Sequence, residues 1–225
     1  MTKNLKATLT VVAVVVTTLV AVFLLSRTTT TDVPSFTESS AAGAAVVPAD
    51  VLVREDSHRL STAPEGAVTF VEFLDFECEA CRAAFPAVEQ LRAEYGDRVS
   101  FVVRYFPIPS HANAENAAVA VEAAAQQGRF EQMYQRMYET QAEWGEQRES
   151  KADVFRGFAE DLGLDLAAYD AAVADPAVRD RVLRDRADGL TAGVQGTPTF
   201  FLDGARLQPE SIDDLRRELD LALAR

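Results

Sequence analysis

Charged and apolar positions divide the chain into three stretches. From Ala7 to Leu25, "ATLTVVAVVVTTLVAVFLL" carries no charge; Lys3 and Lys6 precede it and Arg27 follows. As a helix this run spans roughly 28 Å, close to the ~30 Å hydrocarbon core of a bilayer. It is longer than the roughly 7–15 apolar residues of a cleaved signal sequence, and no small-residue cleavage pair follows it closely. The pattern predicts an uncleaved signal-anchor, with residues 1–6 in the cytoplasm and 7–25 across the cell membrane in a single pass. Everything after Arg27 is then extracytoplasmic, because the lysines flank the inner end. Residues 26–50 are rich in Thr, Ser, Ala and Pro, show no sustained period, and read as a flexible linker.

From 51 to 225 the pattern is that of a folded domain. "VLV" (51–53) reads as a short edge strand, and "AVTFVEFLDF" (67–76) as a buried strand with acids only at Glu72 and Asp75. Cys78 to Tyr95 reads as a helix. Cys81, Phe85, Val88, Leu91 and Tyr95 share one face, Pro86 kinks it and Gly96 stops it. "VSFVVRYF" (99–106) is a second strand, so strand, helix and strand form a βαβ unit with parallel strands. A helical stretch starting near Ser110 and ending at Gly128 follows. Further helices are predicted near 130–142, 151–162, 166–174 and 177–190, with breaks at Gly145, Gly163 and Asp175-Pro176. "TPTFFLDGARL" (197–207) is a hairpin turning at Asp203-Gly204. Residues 209–224 form a last amphipathic helix with Ile212, Leu215, Leu219 and Leu221–Leu223 as its stripe. The stretch 107–193 is far longer than a simple crossover and reads as an inserted helical subdomain.

Composition narrows the class. Apolar residues make up 48% of the 225 and charged residues 25%, enough for a core and against disorder. The net charge of −13 disfavours a nucleic-acid partner, because phosphate binding needs a basic surface.

Chemistry concentrates in "FECEAC" (76–81), which holds both cysteines. A redox dithiol suits a pair lying between a strand and a helix. Free N–H groups and the helix dipole favour a thiolate at Cys78, and Cys81 lies one turn on, close enough to close the disulfide. A zinc site would need four ligands; only His58 and His111 could join the cysteines, and neither stands at finger spacing. A structural staple closing so small a loop would remove little chain entropy. The strand–motif–helix context favours the dithiol, and an extracytoplasmic setting lets disulfides persist. His111 reads as a surface residue at a helix start, and Phe130, Tyr134, Tyr138 and Trp144 as packing within the insert.

Glu72 stands six residues before Cys78, and Pro86 five after Cys81. "GTPTF" spans 196–200, and "RYFPIPSHANAENAA" leads to "QGRF". With the Cys-x-x-Cys, in this order, these positions resemble the DsbA-like thiol–disulfide oxidoreductases of the thioredoxin superfamily, over about residues 50–224. The resemblance implies an α/β thioredoxin fold, βαβ then ββα, with the helical insert between. It implies that Glu72 is the family's buried acid, exchanging protons with Cys81, and that Pro198 is cis. Thr197 would then offer its backbone to an extended substrate. It implies disulfide exchange with secreted or cell-envelope thiol proteins, oxidation before reduction, with Cys78 as exposed nucleophile and Cys81 as buried partner. Neither a cofactor nor a metal is called for, and a quinone-linked membrane protein would restore the disulfide. Glu79 and Ala80 occupy the motif where the strongest oxidants of the family carry histidine. A carboxylate beside Cys78 disfavours its thiolate, so these two residues are expected to tune the site toward a thiolate formed near neutral pH or just above, and a weaker oxidant. A reading of another class is a non-catalytic thioredoxin-fold binding module, chaperone-like or metal-carrying.

Overall fold

The computed structural model describes residues 46–225. The predicted cytoplasmic end, the anchor at 7–25 and most of the linker lie outside the described residues. Among the described residues no helix is long and apolar enough to cross a membrane.

The elements in chain order are α1 (Ala49–Leu52), β1 (His58–Arg59), β2 (Val68–Leu74), α2 (Glu79–Tyr95) and β3 (Val99–Tyr105). Then come α3 (Ala114–Ala125), α4 (Phe130–Trp144), α5 (Ala152–Asp161), α6 (Leu166–Ala174) and α7 (Pro176–Thr191). The chain closes with β4 (Thr199–Leu202), β5 (Ala205–Arg206) and α8 (Ile212–Leu223). One sheet holds the strands in the order β1-β3-β2-β4-β5. β2 and β3 are parallel, with Phe70 opposite Phe101 and Glu72 opposite Val103, whereas β4 runs antiparallel to β2. This is the predicted βαβ–ββα order, and α3 to α7 form the helical insert between its halves.

Alternation along the strands divides the core between two faces. Phe70, Leu74, Phe101, Val103 and Tyr105 face α2, α8 and the insert. Val71, Phe73, Val102, Phe106 and Phe201 pack on the other face with Leu52 of α1. Glu72 lies between Phe70 and Leu74 in period two, so it belongs to the first face.

The segment 51–53 differs from the sequence expectation. Its β-branched residues suggest a strand, but Ala49–Leu52 is one helical turn, and the edge strand is the pair His58–Arg59. The cause lies elsewhere in the chain. Arg104 is wholly buried and donates from Nη1 to the free carbonyls of Val51 and Leu52, which satisfies the end of the turn. In α8, Leu215 and Leu219 are buried as expected, whereas Leu221 is 56% exposed. The other breaks fall where the sequence puts them. Asp175 caps α7 by accepting the Ala177 N–H at 2.9 Å, and Pro176 opens the helix. Asp203 and Gly204 turn the β4–β5 hairpin with φ of 47° and 87°.

Candidate active site

Cys78 is the residue before the first turn of α2, in extended conformation, and no side chain caps this helix. The first N–H groups of α2 therefore lack helical acceptors and face the Cys78 sulfur. Both cysteines are free thiols, Cys78 8% exposed and Cys81 1%. The Thr197–Pro198 peptide bond is cis, as the resemblance implies, and the Thr197 carbonyl accepts from Cys78 Sγ at 3.4 Å. The fold thus brings Cys78, Cys81, Thr197 and Pro198 together from opposite ends of the sequence.

The two sulfurs are electrostatically unlike. Hydrogen bonding from the Cys81 thiol is the main cause that lowers Cys78, to a pKa of about 5. Burial opposes the anion, while Thr197 and the backbone N–H groups of Cys81 and Ala80 support it. The Thr197 hydroxyl is buried without a partner of its own, so a thiolate gives it an acceptor. Cys81 moves the other way: burial first, then the neighbouring Cys78 and the Glu72 charge, push its thiol well above the ordinary range.

Glu72 is 3% exposed, and burial raises it to about 8, with Glu89 and Cys78 adding to the rise. It therefore holds a proton at neutral pH, within electrostatic reach of Cys81. Glu79, in contrast, is exposed. What sets Cys78 is the Cys81 thiol, Thr197 and two N–H groups, and the Ala80 contribution is its backbone. The thiolate accordingly forms at about 5, below the near-neutral value expected from the motif.

Sequence reasoning missed the framework of this turn. Asp75 and Glu77 flank Phe76 and are both buried. Glu77 accepts the N–H groups of Asn113 at 2.6 Å and Glu146 at 3.1 Å, which ties the turn to two loops of the insert. Gln141 of α4 donates to the carbonyls of Phe76 at 2.7 Å and Cys78 at 3.0 Å. Tyr134 and Tyr138 do more than fill the insert: they pack on Phe76 and on Phe85 of α2. His111 is not a free surface residue. Its Nδ1 lies 2.7 Å from Asp75 Oδ2, and it lines, with Cys78, a groove of 410 Å³. His58 pairs with Glu122 at 2.6 Å, so each histidine that could have joined the cysteines around a metal is engaged elsewhere. Among the described residues no cluster of three or more ligating side chains occurs. The signal in the sequence was the run of acids around the motif, Glu72, Asp75, Glu77 and Glu79, of which only the last is exposed.

A family model described as thioredoxin matches residues 58–221, most of the chain. The chain belongs to the thioredoxin family. Its fold superposes on a thioredoxin-like oxidoreductase from Silicibacter pomeroyi DSS-3 with a TM-score of 0.68 and 26% identity, covering 80% of this chain and 99% of that one. It also superposes on the oxidoreductase DsbA from Xylella fastidiosa with a TM-score of 0.61 and 22% identity, covering 77% and 96%. The DsbA-like fold read from the sequence therefore holds, insert included. Among curated proteins, this thioredoxin-family chain is 39% identical over 146 residues to the Na(+)/H(+) antiporter NhaA of Herminiimonas arsenicoxydans, which covers 64% of the chain and 22% of the antiporter. It is 37% identical over 159 residues to the Na(+)/H(+) antiporter NhaA 3 of Salinispora tropica, covering 69% and 23%. The chain thus spans less than a quarter of the length of these curated relatives.

Proposed function

We propose that the protein is a thiol–disulfide oxidoreductase that passes its Cys78–Cys81 disulfide to thiol proteins outside the cytoplasm. The observation that carries this reading is the unlike pair of sulfurs. Cys78, at a helix start with the Cys81 thiol and the Thr197 hydroxyl as donors, is stable as a thiolate from about pH 5 upward, and Cys81 behind it keeps its proton. A substrate thiolate attacks Cys78, and Cys81 leaves and takes a proton, with Glu72 as its source. A second substrate thiol then resolves the mixed disulfide. A stable Cys78 thiolate favours the reduced protein, so the disulfide form is a donor of oxidising power and oxidation is the favoured direction. The cis Thr197–Pro198 bond supports pairing of an extended substrate backbone beside the sulfur.

What supports the location is the sequence pattern: the uncharged run 7–25 behind two lysines reads as an anchor that leaves the domain outside the cytoplasm. Reoxidation then falls to a quinone-linked membrane protein. The test is capture of substrates in cells on non-reducing gels. Cys81→Ala should accumulate mixed disulfides through Cys78, and Cys78→Ala should accumulate none. Capture by neither variant, with both folded, favours the non-catalytic binding module.

A further inference from the structure

The chemistry above leaves one buried pair unused. Asp75 follows β2, and its side chain is wholly buried. One carboxyl oxygen accepts the Glu77 N–H at 2.8 Å; the other accepts the Ile108 N–H at 2.9 Å and faces His111 Nδ1 at 2.7 Å. Two backbone donors mark this carboxyl as an acceptor, which suits the tautomer with the proton on Nδ1 and turns Nε2 away from Asp75. The His111 side chain is 30% exposed, on the wall of the groove that holds Cys78. The loop after β3 thus places on the wall of the Cys78 groove an oriented imidazole that the motif itself lacks.

The other charged groups around that ring are placed differently. Both Glu77 oxygens are taken by backbone N–H groups. Glu79, Glu146 and Arg148 line the groove and are exposed. On the far side of His111, Glu115 pairs with Arg179, and Arg186 donates to the Pro107 carbonyl at 3.1 Å. Near neutral pH an imidazole is a far better base for a thiol than a carboxylate is.

Oxidation of a substrate dithiol leaves a proton to place. The first substrate sulfur bonds Cys78 Sγ, the Cys78–Cys81 bond breaks, and Cys81 leaves with the electron pair and is protonated. The second substrate sulfur then bonds the first, and Cys78 leaves as a thiolate. Two electrons pass from the substrate to the two cysteines. Two protons leave the substrate; one ends on Cys81, and the other is released on the groove side. We propose that His111, aimed by Asp75, is the catalytic base that takes this second proton from the resolving substrate thiol at Nε2, and returns it when the exchange runs in reverse. Asp75 is then a positioning residue. This inference rests on the disulfide-exchange reading given above.

The test is single-turnover oxidation of a dithiol peptide by the oxidised full-length protein, quenched to separate mixed-disulfide formation from its resolution, from pH 6 to 9. In His111→Asn the amide keeps a donor for Asp75 but offers no base; His111→Gln serves if the first variant does not fold. The expected result is resolution slowed about tenfold or more at pH 7. The deficit should shrink toward pH 9, where substrate thiols ionise unaided. Mixed-disulfide formation and the Cys78 thiolate titration should be unchanged. Equal resolution rates at every pH overturn the role, as does a deficit independent of pH, which would mark His111 as structural only. A wild-type protein that oxidises no peptide overturns the exchange reading and this inference with it.

Discussion

At the scale of single residues, the site separates three protons that an unfolded chain would hold at ordinary values. Cys78 gives its proton up at about 5, Cys81 keeps its own well above the ordinary thiol range, and Glu72 keeps its own to about 8. Absorbance of the reduced protein at 240 nm should therefore show one thiolate appearing near pH 5, and that step should be absent in Cys78→Ser. A single titration at or above the free-cysteine value of about 8.5 would remove the activated nucleophile. Glu72 has a stability consequence of definite sign. Its folded pKa is raised, so between about 4.5 and about 8 the native protein holds a proton that the unfolded chain has lost. That contribution is complete below the unfolded value and is lost as pH rises through the folded one. Glu72→Gln should consequently match the wild type near pH 4 and exceed it in urea unfolding at pH 9, by on the order of 4 kcal/mol. The same variant should slow protonation of Cys81 as the disulfide opens, by about tenfold or more in turnover. A variant less stable than wild type at pH 9 would show that the carboxylate is satisfied where it lies.

At the scale of elements, α2 places the sulfur and α4 holds the turn that α2 springs from. Gln141 is the clearest link, because its one amide donates to the carbonyls of both Phe76 and Cys78, the second of which also accepts the Arg82 N–H at 3.1 Å. Gln141→Leu should leave two buried carbonyls without that donor and cost about 2–3 kcal/mol in chemical denaturation. A cost within 0.5 kcal/mol would mean that water replaces the amide. The strand and helix pattern of β2, α2, β3 and α8 was legible because each buries one face or both, and burial writes its period into the sequence. So was the cysteine pair, because strand, motif and helix adjoin in the chain. What could not be read is whatever depends on contact at long range. The helical turn at 49–52 depends on Arg104, some fifty residues away. The buried state of Asp75 and Glu77 depends on Ile108, Asn113 and Glu146. His111 looked like a surface residue because nothing local marks it, and its partner is 36 residues earlier.

At the scale of the whole molecule, a buried ionic network on the far face of the sheet ties the N-terminal segment to the insert. Arg104 is 0% exposed and lies 2.9 Å from Asp185 and 2.5 Å from Asp188. Asp188 also binds Arg54, and Asp185 and Glu122 share Arg181. Removing one member of a buried network strands its partners. Arg104→Leu should therefore destabilise the domain by about 3–5 kcal/mol while leaving the Cys78 titration in place, since Arg104 packs on Phe73 across the sheet from α2. A domain as stable as wild type would show that the network is neutral. Oxidation of substrates requires the reduced dithiol to be the stabilised form, and this is read most directly by equilibrating the Cys78–Cys81 pair with glutathione. The expected midpoint lies well above the −270 mV or so of a reducing thioredoxin, toward the roughly −120 mV of a strong oxidant. A midpoint at or below about −270 mV, or no equilibrium with glutathione at all, would contradict it.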